Sequence, residues 1–499
     1  MSNASSQEAS IESQKTIMGH PQGLFIVFFA ELWERFSFYG MRALLVLYMT
    51  KEFLFTDEKA FGVYAGFMSL MYATPIFGGL LADKVLGTRK TIVLGGVTIA
   101  IGNALMVVGN LEMFYAALAL LVVGNGLFKA NISSLVGSLY EKEDPRRDAG
   151  FTIFYMGINL GGFMSPFVIG YIGESYGWKY GFLIASIGMF AGLFTLLKGQ
   201  KVLGNKGLPP KTVDLKQRCF GLTKEQFFSV LPILTVPAFY FVLLQTGIMN
   251  NFMNVAGIAV VILMLVLAFK SEGKERFGLL TILGLMFFHA TFWSLLEQAG
   301  SSINLFTDRN IDKTLFGFIE IKTSLFQSVN PFFIFLLAPI FSYMWTKLEQ
   351  NKKAPNAPMK FFFGVALAGV GFYTLALGTK YADEAGLTSM LWLVGGYFFL
   401  TVGELFVSPV GLSMVSQLAP KKLVSMIMGV WFLSISFAHH IAGLISKMMA
   451  VPTGDGSIDP LVSLPIYGEV FEKVSYGAFG IAVILLFLIP FLNKAFKEE

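Results

Sequence analysis

The chain has 499 residues, of which 55% are hydrophobic and only 14% are charged. Soluble domains carry about 25% charged residues, so this composition is typical of an integral membrane protein. The net charge of +5 is too small for the clustered basic surface of a nucleic-acid-binding protein. The single cysteine, Cys219, excludes an internal disulfide and a cysteine-ligated metal cluster.

Fourteen stretches are long and apolar enough to span a bilayer as helices, for which about 20 residues suffice. In chain order they are residues 22–49, 61–82, 91–109, 113–138, 149–172, 179–197, 227–247, 250–269, 277–303, 324–346, 361–379, 388–413, 424–449 and 475–492. The first 20 residues are polar, so we expect no cleaved signal peptide. Glycine or proline inside Ile158–Pro166, Asn330–Pro339 and Leu405–Gly411 predicts broken or bent helices there.

The basic residues predict the orientation of these spans. Of the 37 lysine and arginine residues, 25 fall in segments on the same side as the N-terminus. Nine fall in segments on the other side and three within spans. Because basic residues accumulate in cytoplasmic loops, and because the number of spans is even, we expect both termini in the cytoplasm.

A basic stretch, residues 198–224, separates the first six spans from the rest. The next two spans, within residues 227–269, contain no charged residue and predict a peripheral hairpin that faces lipid. Six spans then remain on each side, as in transporters built from paired helical bundles. We therefore predict a six-helix bundle over residues 1–198, a linker with two extra helices over 199–276, and a second six-helix bundle over 277–499.

The loop between the second and third spans reads GGLLADKVLGTRK, Gly78–Lys90. Its acidic residue, glycines and basic residues resemble the loop motif of the major facilitator superfamily. The resemblance implies an all-α membrane protein with the major facilitator fold: 12 core transmembrane helices in two bundles. The two-helix insertion brings the total to 14 spans.

The first span carries Glu31, Glu34, Arg35 and Arg42. A charge at the bilayer centre costs about 2.5–3.5 kcal/mol, so these side chains must face a cavity or one another. At 100° per residue they share one helical stripe, and Glu31 can pair with Arg35 at i,i+4. Two acids then share one base, which favours a proton-coupling site. The alternative is a structural salt bridge that orients the span.

Three further charges stand alone in spans: Lys129, Glu297 and Glu404. The first predicted bundle thus supplies cations and the second supplies anions. A cavity between them would suit a zwitterion, although the charges could instead pair only with one another as gates. For His289, two turns before Glu297, we favour a hydrogen-bonded packing role over proton transfer.

The sequence contains none of the common motifs for nucleotide binding, metal binding or nucleophilic catalysis: it has no P-loop, metal triad, nucleophile elbow or dinucleotide fingerprint. ATP therefore cannot drive transport from within this chain, and we expect no enzymatic activity, no metal and no cofactor.

The segment ELWERFSFYGMRALL, Glu31–Leu45, resembles the first signature of proton-dependent oligopeptide transporters. FTIFYMGINLGGFMSP resembles their second signature, and FWSLLEQAGSS, FQSVNPFFI, ELFVSPVGLSM and MGVWFL resemble later motifs in the same order. The resemblance implies a bacterial cytoplasmic-membrane symporter that imports di- and tripeptides with protons by alternating access. A carrier of nitrate or another small anion is the rival interpretation, because plant members share the first signature.

The resemblance also implies roles for individual residues. The implied proton-coupling residues are Glu31, Glu34, Arg35 and Lys129. The implied substrate-binding residues are Arg35, Tyr39, Tyr72, Lys129, Tyr155, Asn159, Asn330, Glu404, Ser408 and Trp431. Arg42 and Glu297 would form an outer gate. The expected partners are the peptide, protons and the lipid bilayer, with no nucleic acid and no obligatory protein partner.

Overall fold

The computed structural model describes residues 16–141, 143–408, 410–452 and 458–496, and α-helix dominates these ranges. In chain order the α-helices are α1 (Gln22–Lys51), α2 (Asp57–Ala73), α3 (Pro75–Leu81), α4 (Thr88–Met106), α5 (Leu111–Ser138), α6 (Arg147–Ser165), α7 (Tyr171–Tyr176), α8 (Trp178–Lys198), α9 (Lys224–Val230), α10 (Val236–Leu244), α11 (Thr246–Lys270), α12 (Gly273–Leu296), α13 (Ser302–Asn310), α14 (Val329–Gln350), α15 (Ala357–Lys380), α16 (Met390–Val407), α17 (Val410–Leu418), α18 (Val424–Met448) and α19 (Pro460–Leu492).

Short helical turns join or extend these helices. Two are π-helical, Ala82–Leu86 and Pro166–Gly170. The 3₁₀ turns are Gly199–Lys201, Ile233–Thr235, Glu297–Gly300, Thr323–Ser328 and Asn493–Phe496. A helix that is interrupted by such turns can change direction while most of its backbone hydrogen bonds stay satisfied.

The strands are two residues long and belong to the connections. They are β1 (Thr16–Ile17), β2 (His20–Pro21), β3 (Arg218–Cys219), β4 (Leu222–Thr223), β5 (Ile311–Asp312), β6 (Thr314–Leu315), β7 (Ile319–Glu320) and β8 (Thr388–Ser389). Three pairs are antiparallel, β1 with β2, β3 with β4 and β6 with β7, whereas β5 and β8 are parallel.

The predicted all-α membrane fold is confirmed. In the described part of the chain, 12 helical segments are long and apolar enough to cross a membrane. They coincide with 12 of the 14 predicted spans, and the other two spans are the long helices α1 and α4. Both depart from a purely apolar composition: α1 carries four charged residues within its predicted span, and α4 begins with Arg89 and Lys90.

Two spans are broken at positions for which no interruption was predicted. The second span is divided at Thr74 and Pro75, and the ninth at Glu297–Gly300. Of the three predicted interruptions, one appears as the π turn that begins at Pro166 and another where α16 ends at Val407. Residue 409, within that second interruption, lies outside the described residues. Helix α14 instead continues through Pro339.

The last helix begins at Pro460, well before the predicted start of the span at residue 475. Asp459 caps it, since its carboxylate accepts a hydrogen bond from the Leu461 N–H at 2.9 Å. Lys473 and Glu469 pair at i,i+4 with an N–O distance of 2.6 Å. Because these residues are polar, the segment lies outside the predicted apolar span. They nevertheless stabilise a helix that extends beyond the apolar stretch.

Two compact units divide the chain. The first comprises the described residues up to Met41 together with Thr74–Phe241, and the second comprises Arg42–Ala73 and the residues from Val242 onward. Helix α1 contributes its first part to one unit and its last turns to the other. The sequence-based division into residues 1–198, 199–276 and 277–499 stays a prediction.

Close backbone approach organises the first unit. Helices α4 and α5 pack so tightly that a Cβ on Gly124 would lie 2.8 Å from the Ile99 backbone nitrogen. Helix α3 approaches α5 more closely still, because a Cβ on Gly78 would lie 1.9 Å from the Gly126 carbonyl oxygen. Small residues at helix interfaces are the usual means of such packing in membranes.

A buried ion pair fastens helix ends in the second unit. Arg309, at the end of α13, donates two hydrogen bonds to the Asp57 carboxylate at 2.6 and 2.7 Å. Asp57, the first residue of α2, also accepts from the Val451 N–H at 3.0 Å, and Arg309 donates to the Tyr467 hydroxyl at 3.2 Å. The bidentate geometry fixes both the distance and the orientation of these helix ends.

Adjacent glycines test the close contact of α3 with α5. In Gly78→Ala the new methyl meets the α5 backbone, which cannot move aside as a side chain can, so we expect a loss of about 1–3 kcal/mol of folding free energy. Gly79→Ala is the matched control, because a Cβ there meets nothing within 4 Å. The melting temperatures of the purified variants in detergent provide the measurement, and equal melting of the two variants would contradict the packing described.

Candidate functional site

Three charged side chains of α1 form a compact group, the α1 charge cluster: Glu31, Glu34 and Arg35. The Arg35 Nε lies 3.2 Å from Glu31 Oε1 and also pairs with Glu34 Oε2. Each of the three residues is no more than 3% exposed. The predicted i,i+4 pair and the sharing of one base by two acids are both confirmed.

Helix α6 holds the cluster in place from one side. A Cβ on Gly161 would lie 2.5 Å from the Leu32 carbonyl oxygen and 3.1 Å from the Arg35 Cβ, so α6 meets α1 backbone to backbone at the cluster. The Arg35 guanidinium also lies over the Phe38 ring, 5.1 Å from its centroid. Such a cation–π contact stabilises the cation without neutralising a carboxylate.

Lys129 is the second cation of this neighbourhood. It lies on α5, is half-buried, and is close enough to the Glu31 carboxylate to interact with it electrostatically. The other carboxylate oxygen of Glu31, Oε2, is buried and accepts no hydrogen bond from the described residues. A buried carboxylate oxygen without a donor is an energetically unfavourable charged group, and protonation is one way to relieve it.

Two polar residues expected to bind substrate, Tyr155 and Asn159, lie on α6 shortly before Gly161, where this helix contacts α1. Tyr155 is 50% exposed, and the Asn159 amide donates to its carbonyl oxygen at 3.0 Å. Tyr39, one turn after Arg35, is half-buried and packs beside Gly162. The structure thus brings Tyr39 and the α1 charge cluster to the α1–α6 contact, and Asn159 lies on α6 two residues before Gly161.

In the second unit, Arg42 is paired with Glu297. The Arg42 Nη2 donates to Glu297 Oε2 at 2.5 Å, and its Nε donates to the Tyr64 hydroxyl at 2.9 Å. Arg42 is 8% exposed and Glu297 is 5% exposed. A Cβ on Gly300 would lie 1.9 Å from the Tyr64 hydroxyl, so only glycine leaves room for this arrangement.

His439 of α18 lies on the other side of Glu297. Its Nδ1 is 3.9 Å from Glu297 Oε2, and its ring is 4.9 Å from the Tyr72 ring, centroid to centroid. His439 is 1% exposed. Tyr72 is expected to bind substrate. His439 therefore lies between Tyr72 and the Arg42–Glu297 pair and contacts both.

Glu404 is buried on α16, and among the described residues its carboxylate is hydrogen-bonded rather than ion-paired. The Asn330 amide donates to Glu404 Oε2 at 2.8 Å and to the Thr401 hydroxyl at 3.0 Å. Ser408 lies one turn later, exposed, and its N–H donates to the Glu404 carbonyl oxygen at 2.8 Å. A carboxylate held by a neutral amide keeps its negative charge available to a cation.

Trp431 is 2% exposed and packs against His289, with ring centroids 4.6 Å apart. His289 is hydrogen-bonded through both ring nitrogens, by the Trp293 indole N–H at 2.9 Å and the Ser434 hydroxyl at 2.8 Å. The hydrogen-bonded packing role favoured for His289 is confirmed. The substrate-binding role of Trp431 stays a prediction.

Sequence reasoning missed three members of these networks: Tyr64, Thr401 and His439. Tyr64 and Thr401 carry no local signal, because an aromatic or hydroxyl residue in an apolar span usually packs. His439 does carry a signal, since an ionisable residue within a membrane span is a functional candidate by default. The adjacent His440 has a different partner, since its Nε2 lies 3.1 Å from the Asn254 side-chain oxygen.

The two units thus hold different chemistry. The first holds two carboxylates that share one guanidinium, with an additional ammonium nearby. The second holds a buried ion pair and a buried carboxylate on an amide. Each of these groups lies entirely within one unit. The predicted cavity with a positive and a negative wall stays a prediction.

Comparison with known proteins identifies the family of this chain. A family model described as "POT family" matches residues 89–470. The chain is 34% identical to dipeptide and tripeptide permease A of Cronobacter turicensis, over 100% of this chain and 98% of that protein.

Solved structures agree with that match. A crystal structure of peptide transporter POT in complex with sulfate superposes with a TM-score of 0.83 at 34% identity, covering 97% of each chain. A variant of peptide transporter POT in complex with alafosfalin gives 0.85 at 33% identity, covering 98% of this chain and 99% of that one. The chain therefore has the major facilitator fold and belongs to the POT family of membrane transporters.

Proposed function

We propose that this protein is a proton-coupled symporter that imports di- and tripeptides by alternating access. One observation carries the proposal: membrane-spanning helices of one chain bury a shared cation, Arg35, and a carboxylate held by an amide, Glu404. A zwitterionic peptide offers the complementary charges. The names of the relatives, dipeptide and tripeptide permease and peptide transporter, support this substrate class.

The α1 charge cluster supports a mechanism for proton coupling. With both carboxylates ionised, Arg35 is engaged by Glu31 and Glu34, and Lys129 is attracted to Glu31. A proton on one carboxylate removes half of the negative charge that restrains Arg35. Arg35 and Lys129 can then bind the peptide carboxylate, and release of the peptide lets the original pairing return. Proton and peptide are coupled because a proton on the carboxylate frees the cations that the peptide carboxylate then binds.

Glu404 supports recognition of the other end of the peptide. The Asn330 amide orients the carboxylate without supplying a positive charge, so an ammonium group is the natural ligand. We propose that Tyr39, Tyr72, Tyr155, Asn159, Asn330, Ser408 and Trp431 line the binding site. A carrier of nitrate or another small anion has no use for a buried carboxylate of this kind, which favours the peptide.

The Arg42–Glu297 pair supports a gating role. Both side chains are buried, and the pair joins α1 to the end of α12. An ion pair that is formed in one transport state and separated in another gives the protein two discrete arrangements. We propose that it closes the outer side of the transporter.

The basic loops support placement in the bacterial cytoplasmic membrane with both termini in the cytoplasm. We propose that the proton gradient supplies the work, about 2.3 kcal/mol for each charge moved through 100 mV. The proposal includes no cofactor, no metal, no catalytic step and no obligatory protein partner.

Lys129→Ala tests the coupling. We expect uphill uptake of labelled dialanine into liposomes with an imposed proton gradient to fall at least about tenfold, because a buried charge partner is removed. Lys198→Ala, at the exposed end of α8, is the control and should transport normally. Normal pH-driven accumulation by Lys129→Ala would refute the role of this lysine in coupling.

Glu404→Gln tests recognition of the amino terminus. A hydrogen bond to a charged group contributes about 1.5–3 kcal/mol, so affinity for free dipeptides should fall roughly 10- to 100-fold. Affinity for the corresponding N-acetylated peptides, measured by competition, should hardly change. If the wild-type protein binds blocked and free peptides equally well, Glu404 does not receive the amine.

The gate is tested by a double-mutant cycle on Arg42 and Glu297. Glu297→Gln leaves a buried guanidinium without its counterion, which destabilises by about 3–5 kcal/mol, so the melting temperature and proton-driven uptake should both fall. Adding Arg42→Gln should restore part of the stability but not the uptake. Independent, additive effects of the two substitutions on stability would show that the pair is not coupled.

A further inference from the structure

An apolar groove runs between helices of the first unit, apart from the charged residues described above. Its volume is about 390 Å³, within the ~300–1,000 Å³ that is usual for ligand sites. One wall belongs to α3, one to α5, and the third to the segment from Leu231 to Phe239. Side chains from these three walls include Phe77, Leu81, Val123, Leu127, Leu231 and Phe239.

The groove offers a ligand no charge and little hydrogen bonding. No lining residue, all of which the structure describes, is charged. The two hydroxyls at its edge are already engaged: Thr74 donates to the Val122 carbonyl oxygen at 3.1 Å and Thr235 to the Pro232 carbonyl oxygen at 2.6 Å. A polar ligand would lose its hydration without compensation, so the chemistry of the groove selects a hydrocarbon.

The groove opens toward lipid. Phe77 is 70% exposed and Leu231 is 40% exposed. The wall that contains Leu231 belongs to the membrane-spanning segment Lys224–Leu244. Only 6% of the most apolar stretch of this segment is buried within the protein. The solvent that reaches these side chains in a membrane is therefore the lipid itself.

Basic residues stand at one end of the groove. Beyond Leu81 the chain enters the π turn Ala82–Leu86, which contacts α9 and carries Lys84. Helix α9 begins at Lys224, and the pair of Lys90 with Glu225, with an N–O distance of 2.6 Å, joins this end to the start of α4. Lysines at the end of an apolar groove complement a phosphate above an acyl chain.

We propose that this groove binds an acyl chain of a membrane phospholipid, whose phosphate lies near Lys84 and Lys224. The groove borders two of the three positions at which the chain passes from one compact unit to the other, Thr74 and the segment just after Phe239. The site is independent of the proposed peptide transport.

Photolabelling tests the site directly. The purified protein is reconstituted with a phospholipid that carries a diazirine in one acyl chain, irradiated, and digested for peptide mass spectrometry. Adducts are expected on Pro75–Leu81 and on residues 231–239. In Thr235→Trp the indole occupies the groove, and labelling should fall about tenfold because buried methylene groups are displaced. Leu234→Trp is the matched control, since Leu234 is 66% exposed and does not line the groove.

Two further arms separate the possible ligands. A diacylglycerol with the same labelled chain lacks the phosphate and should label several-fold less, and Lys84→Gln/Lys224→Gln should abolish that difference. Equal labelling by both lipids, or stronger labelling by a labelled free fatty acid, would overturn the phospholipid assignment. Labelling that is equal in Thr235→Trp and Leu234→Trp, with both variants folded by melting temperature, would overturn the site.

Discussion

The exclusion of water from the bilayer is the constraint on which the rest of this structure depends. A charge in hydrocarbon is costly, so each charged side chain in a span must meet a partner inside the protein. Arg35 meets two carboxylates, Arg42 meets Glu297, and Glu404 meets Asn330. Helices pack closely next to these polar contacts, as at Gly161 and Gly300, where there is no room for a Cβ.

What could be predicted from the sequence follows from the range of each interaction. Glu31 and Arg35 are one helical turn apart, so their pairing is fixed by the geometry of a single helix. The partners of Arg42 and Glu404 are 255 and 74 residues away, and only the tertiary fold selects them. Charges within apolar spans therefore identified members of each site, and the family resemblance implied that Arg42 and Glu297 act together, whereas the contact of Glu404 with Asn330 had to be observed.

The helix ends follow the same logic. Apolar length predicted most spans, because a helix in lipid must be apolar along its exposed length. It failed for α19, whose first turns are polar yet helical, and for the break at Glu297–Gly300, which has no proline. That break sets Glu297 at the end of α12 and lets Gly300 pass the Tyr64 hydroxyl, so the departure from a regular span is what forms the ion pair with Arg42.

Buried ion pairs are poor devices for stability, because desolvation offsets most of their attraction, whereas breaking one by removing a partner costs about 3–5 kcal/mol. The same balance suits a transporter. A pair that gains little overall can be exchanged for another pairing of similar energy, while any state that leaves a charge alone is suppressed. In the proposed mechanism, a proton on Glu31 or Glu34 and a peptide carboxylate on Arg35 are such exchanges, and a potential of 100 mV supplies about 2.3 kcal/mol for each charge moved. We propose that the sparse charges of this apolar chain restrict its movement to the steps in which proton and peptide take the places of the resting ion pairs.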